Sequence, residues 1–124
     1  IRVMLDGVFN HCGYMNPIWL DVVEKGPKSE YYDWFFVNSW PFEKRHDTRD
    51  GKFYSFAFAA GMPKLNTNNQ KVIDYLTRVC LSWVDKYDID GIRFDVGNEI
   101  SHTLLKHLNK SLKTKKADFY LMGE

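Results

Sequence analysis

The sequence carries a formal net charge of only +1 at pH 7. Its 17 lysines and arginines almost cancel its 16 aspartates and glutamates, so nothing argues for a nucleic acid or an anionic membrane surface as partner. Long apolar runs are missing as well, none approaching the roughly 18 residues of a membrane-spanning helix. Ile1 opens a strand-like stretch rather than a signal peptide, and the start reads as cut. Cysteine is limited to Cys12 and Cys80, far apart and without C-x-x-C spacing. That argues against a disulfide or a cysteine metal site and predicts two reduced, partly buried thiols, as in a cytoplasmic protein. At 124 residues the chain can hold one modest core, but a complete α/β barrel takes about 250.

Aromatic side chains are abundant, at 16% of the chain. They suit a large core or a surface that stacks on flat ligands, the core being the default. Ile1 to Leu5 is apolar and breaks into Asp6-Gly7-Val8-Phe9-Asn10-His11, the pattern of a buried strand with polar residues at its C-terminal end. From Cys12 to about Asn69 no long periodicity appears, and Gly and Pro punctuate the segment, which is too long for an ordinary loop. Within it Asp21 to Lys25 predicts a helical turn, and Tyr31–Val37 and Phe53–Phe58 predict short strands. Trp34, Phe35, Trp40, Phe53 and Phe56 are expected to pack this insert.

The period then changes. Val72, Ile73, Leu76, Val79, Cys80, Trp83 and Val84 form one stripe, predicting a helix over about 70–86 with Asn69 or Thr67 as cap. A strand is expected at Gly91 to Asp95, and a second helix along Leu104, Leu105, Leu108 and Leu112 behind Ser101. Phe119 to Glu124 reads as a last strand. Strand, insert, helix, strand, helix, strand is the order of right-handed βαβ units on a parallel sheet, an α/β fold.

Two strand ends carry the chemistry. Arg93 and Asp95 are two apart on a strand and share a face, where a cation favours the charged form of the carboxylate. A structural Arg–Asp pair satisfies the same pattern equally well. The strands ending at Asp95 and Glu124 are consecutive, hence neighbours about 4.8 Å apart with both carboxyls at one sheet edge. Two carboxyls about 5 to 5.5 Å apart meet the requirement of a retaining glycosidase. Asp95 is then the nucleophile, and Glu124, behind apolar Leu121 and Met122, is expected to keep a raised pKa and act as acid and then base. An unrelated α/β protein with edge carboxylates fits that order too.

Four segments in order, Asp6 to His11, Met62-Pro63-Lys64-Leu65-Asn66, Gly91 to Glu99 and Gly123-Glu124, resemble the signatures of the α-amylase superfamily, glycoside hydrolase family 13. The pentapeptide and the Val96-Gly97-Asn98-Glu99 ending are most similar to the neopullulanase, cyclomaltodextrinase and maltogenic amylase group. The resemblance implies part of a TIM (β/α)8 barrel, from the third to the fifth strand. Residues 1–11 and 70–124 would be the partial barrel, and 12–69 a small domain inserted after the third strand. It implies Asp95 as nucleophile, Arg93 as its orienting partner and Glu124 as general acid/base. His11, Asn98 and Glu99 would bind substrate, and Asp6 and Asn10 would support the site, with Lys64 and Asn66 fixing a loop.

Asn10 matches a calcium-binding position in many α-amylases, which the neopullulanase group often lacks, so neither cofactor nor metal is expected at the site. A structural calcium elsewhere in a longer protein stays open. The implied partner is an α-glucan or maltooligosaccharide, and homodimer assembly of a longer enzyme is left open. His46, His102 and His107 carry no signal beyond surface histidines. The family's third site carboxylate, on a later strand, is absent from these residues, so the chain alone is expected to be inactive. Three other readings remain at this stage. They are a non-catalytic carbohydrate-binding or transport relative, a metal-dependent α/β hydrolase using Asp6, His11 and Asp95, and a purely structural piece.

Overall fold

The computed structural model describes residues 1–43 and 47–124, so His46 lies outside the described residues. The chain divides into two units, Ile1–Phe9 with Thr67–Glu124, and Asn10–Asn66.

In the first unit, β1 (Met4–Gly7), β2 (Gly91–Phe94) and β3 (Tyr120–Gly123) form a parallel sheet in the order β1-β2-β3. The first strand begins three residues later than its apolar run suggested, because the first ladder partner of Gly91 is Met4. Asp6 is in register with Arg93, and Phe94 with Gly123. Hydrogen bonding continues one residue past the strands: the Asp95 amide donates to Gly7 (3.1 Å) and the Glu124 amide to Phe94 (3.2 Å). Both carboxylate-bearing residues thus hang from fixed backbone at the same end of the sheet.

Helices α2 (Gln70–Tyr87) and α3 (His102–Lys115) pack on one another beside the sheet. The two stripes that predicted them are buried at Val72, Ile73, Leu76, Cys80, Leu104, Leu108 and Leu112, as are Ile92 and Phe94. Each such side chain contributes about 1.5–3 kcal/mol on leaving water. Asn69 is the cap of α2, its side chain accepting from the Lys71 amide at 2.9 Å. Thr67 instead clasps the start of α3: its hydroxyl accepts from the Ser101 amide (2.9 Å) and its carbonyl from the Ser101 hydroxyl, which also caps the Leu104 amide. At the other end of the strands the Lys116 ammonium joins Asp88 (3.0 Å) and Asp90 (2.8 Å), and Asp90 also accepts from the Val3 amide (2.8 Å). Outward on the sheet, Met4, Tyr120 and Met122 remain exposed.

The second unit is held by rings around Trp19, which is fully buried. It meets Phe35 edge-on at 4.8 Å, Phe53 at 4.9 Å and Phe42 face-on at 5.5 Å. Its carrier is α1 (Pro17–Lys25), a nine-residue helix where only a turn from Asp21 was expected. The overlooked start signal is Asn16-Pro17, with the Asn16 side chain accepting from the Ile18 amide and Pro17 in the first turn. The expected strands at Tyr31–Val37 and Phe53–Phe58 are not ladders. Each contributes a short 3-10 turn, Tyr32–Trp34 and Phe56–Phe58, and isolated bridges such as Val37 to Phe53. Ala57 and Phe58, at φ 50° and 60°, end any extended run there. Trp34, Phe35 and Phe53 are core residues as expected, whereas Trp40 is half-exposed over Gly26 and donates to the Val23 carbonyl at 3.0 Å. Trp19→Ala is expected to destabilise this unit by about 3–5 kcal/mol in denaturant titration. Trp40→Ala should cost under about 1.5 kcal/mol, and equal effects would displace Trp19 from the centre of the core.

Both cysteines are free thiols. Burial pushes each up to about 12, which leaves them protonated and unreactive at neutral pH. No helix among the described residues is long and apolar enough to cross a membrane.

Candidate active site

Arg93 is the hub of the sheet's C-terminal edge. As the third residue of β2 it points away from buried Ile92 and Phe94, toward the side to which Asp6 also projects. Its Nη1 donates to Asp6 (2.7 Å) and to Asp95 (3.1 Å), and its Nη2 pairs with Glu124 (2.9 Å). One guanidinium therefore ties carboxylates from the ends of all three strands. This is the planar, forked geometry that lysine cannot supply. Asp6, whose side chain is half-exposed, is a direct ion-pair partner of Arg93. The Asp6 contact is also the first reason the guanidinium is held above its ordinary pKa.

Glu124 departs from the expected environment. Its carboxyl is held below the usual carboxylate range, first by the Val96 amide, which donates to Oε2 at 3.1 Å, and next by the Arg93 charge. Leu121 and Met122 do not enclose it, and the side chain is 55% exposed. The raised value read from its apolar predecessors is thus corrected: donors outweigh desolvation here.

The residue that sequence reasoning missed is Val96. It sits in the left-handed region, at φ 50° and ψ 42°, a conformation costing on the order of 1–3 kcal/mol for a branched residue. The strand was expected to end at Asp95, and Gly97-Asn98 signal a turn just beyond, but a branched valine gives no sign that it is itself the left-handed residue. Next to it, Gly97 lies so close to the end of β3 that an added Cβ would meet Gly123 Cα at 3.2 Å and the Glu124 nitrogen at 3.3 Å. Asn98 and Glu99 occupy the short turn Gly97–Glu99, both exposed, ahead of α3 rather than at its start.

In the second unit Asn10 and His11 are buried. The Asn10 side-chain oxygen accepts from the Lys64 ammonium at 2.7 Å, and its amide nitrogen lies 3.4 Å from His11 Nδ1. His11 forms a backbone bridge with Lys64 and stacks on Phe56 at 5.1 Å with ring planes 11° apart. Lys64 and Asn66 fix the loop: the Lys64 amide donates to Tyr54 and the Asn66 amide to Trp34. No group of three or more His, Cys, Asp or Glu among the described residues is arranged to hold a metal ion.

A parallel sheet with carboxylates gathered on one arginine does not by itself define a family. Residues 1–124 all match the family described as alpha amylase, catalytic domain. The chain belongs to the alpha-amylase catalytic domain family. It is 45% identical over its full length to the intracellular maltogenic amylase of Bacillus subtilis (strain 168), covering 20% of that protein. It is 43% identical to the cyclomaltodextrinase of Geobacillus thermopakistaniensis, covering 21%. Among solved structures, the type III pullulan hydrolase from Thermococcus kodakarensis superposes with a TM-score of 0.90 at 45% identity, over all of this chain and 21% of the other. The chain thus spans about a fifth of the length of the curated relatives it matches. The likeness to the maltogenic amylase and cyclomaltodextrinase group stands, and the three-stranded sheet is a portion of this amylase family's barrel architecture.

Proposed function

We propose that this chain supplies the nucleophile and acid/base half of a retaining glycoside hydrolase acting on α-glucosidic bonds of maltooligosaccharides, cyclodextrins, pullulan or starch. What carries the reading is the single guanidinium that holds Asp95 and Glu124 at the ends of adjacent parallel strands. The names of the relatives supply the substrate class: a maltogenic amylase, a cyclomaltodextrinase and a pullulan hydrolase. In this proposal β1, β2 and β3 are the third, fourth and fifth strands of a (β/α)8 barrel. Residues 12–69 are the domain inserted after the third strand. Asp95 attacks the anomeric carbon and Glu124 protonates the departing oxygen, then deprotonates water for the second displacement. Arg93 orients Asp95, and Asp6 fixes Arg93 from the neighbouring strand. His11, held by Asn10 and stacked on Phe56, binds the sugar, and Asn98 and Glu99 line the leaving-group side.

The depressed Glu124 describes the uncovered carboxylate. A bound glucan would remove water from it and favour its neutral form, as the acid step needs. No calcium is proposed at Asn10, because the Lys64 ammonium already occupies its side-chain oxygen and a second cation there would face that charge. A cytoplasmic location is proposed from the free thiols and from the name of the intracellular relative. The 124 residues by themselves are proposed to be inactive, since the sheet leaves Met4, Tyr120 and Met122 uncovered.

The test is hydrolysis of cyclodextrin and pullulan by the full-length protein containing this chain, followed by NMR of the first-formed product. Release of the α-anomer is expected. Release of the β-anomer would reject the retaining dyad, and a divalent ion found bound at Asn10 would reject the metal-free site.

A further inference from the structure

Both oxygens of Glu124 are held, but by unlike partners. Oε1 faces the Arg93 guanidinium at 2.9 Å, and Oε2 accepts from the Val96 backbone amide at 3.1 Å. The amide reaches Oε2 because Val96 takes the left-handed turn immediately after Asp95. The turn is closed by the Glu99 amide donating back to the Val96 carbonyl at 2.9 Å. Bare Gly97 lets this turn lie against Gly123 and Glu124. A strained branched residue survives only where its surroundings over-determine it, and such residues cluster at sites that depend on their geometry.

We propose that the Val96 backbone amide is a positioning group that anchors Glu124 through Oε2 in both protonation states, so that Oε1 is the oxygen that carries and transfers the proton. The chemistry of the two partners separates them. A neutral carboxyl keeps a carbonyl oxygen that still accepts from an amide, whereas its attraction to a guanidinium is largely lost on protonation. Oε1 is therefore released toward the glycosidic oxygen, and Arg93 retains Asp6 and Asp95 on Nη1. In the acid step the O–H bond at Oε1 breaks as the proton passes to the leaving oxygen. In the base step Oε1 takes a proton from water while Oε2 stays on the amide. The same contact is the largest cause holding the carboxyl low, ahead of the Arg93 charge and of a hydrogen bond with the Asp95 side chain, which also faces it.

The inference rests on the proposed acid/base role of Glu124, and the experiment separates the two. In the full-length enzyme, Val96 is replaced by its α-hydroxy analogue, which exchanges the amide N–H for an ester oxygen and keeps the side chain. In parallel, Val96→Gly keeps the N–H and accepts a positive φ without strain. The readouts are the 13C titration of the Glu124 side-chain carboxyl and the pH profile of kcat on maltotriose. The ester is expected to move the carboxyl titration and the corresponding limb of the profile to higher pH, and to lower kcat about tenfold with KM unchanged. Val96→Gly, which keeps the N–H, is expected to leave the carboxyl titration in place. An unmoved carboxyl titration in the ester overturns the anchor, as does an equal displacement in Val96→Gly, which would place the role in the side chain. A moved titration with an unmoved kcat profile supports the anchor and overturns instead the acid/base reading of Glu124.

Discussion

Asp95→Asn in the full-length enzyme is expected to lower kcat on maltotriose roughly ten-thousand-fold, with little change in thermal stability. The amide has the size of the carboxylate and keeps an oxygen for Arg93 Nη1, now 3.1 Å from Asp95 Oδ1. Arg93 also keeps Asp6 and Glu124, so the edge of the sheet has no reason to rearrange. What disappears is the negative charge that, in the proposed mechanism, forms the bond to the anomeric carbon and stabilises the positive charge developing there. Retention of more than a tenth of wild-type kcat would remove Asp95 from the nucleophile role and return it to the structural ion-pair reading.

Glu124→Gln should fail in a more selective way. On an ordinary α-glucoside it is expected to lose about 10²- to 10⁴-fold in kcat, the usual range for a positioned acid or base. A glucosyl fluoride needs no proton on its leaving group, so formation of the covalent intermediate should persist. Hydrolysis of that intermediate still lacks a base, and azide, a nucleophile without a proton to lose, should restore turnover as a glucosyl azide product. Equal losses on the glucoside and the fluoride, with no azide product, would mean that Glu124 acts through structure rather than proton transfer.

How much of this was legible in the sequence depends on whether the cause was local. The stripes of α2 and α3, the Asn69 cap and the parallel order follow from periodicity and end signals that act over a turn or two, and the structure has them. The Arg93–Asp95 pair was legible because residues two apart on a strand share a face. The meeting of Arg93 with Asp6 depends on a register set across 87 positions, and only the resemblance hinted at it. In the insert, aromatic content suggested strands, but the rings serve a core around Trp19 and the backbone takes turns at Ala57 and Phe58. Val96 carried no signal, since a left-handed valine is imposed by its surroundings against its own preference. The environment of Glu124 was misread for a related reason: its apolar sequence neighbours leave the carboxyl open to solvent, and the groups that set its charge, the Val96 amide and Arg93, come from another strand and the turn after it.

The clasp at the opposite end of the strands governs what a pH experiment on this protein can mean. Asp90 is held below its ordinary 3.8, first by the hydrogen bond from Lys116, and Lys116 is held above its ordinary 10.5, first by Asp90. A lowered carboxylate contributes stability above its unfolded value and loses it as pH falls through the folded one. A raised lysine contributes below its unfolded value and loses it as pH rises through the folded one. The two windows overlap across the whole interval from 3.8 to 10.5, so the clasp keeps its charge state throughout mild acid and mild base. Within that interval this link between strand starts is silent to protons, and a rate that changes there has its cause elsewhere than in the loosening of this clasp.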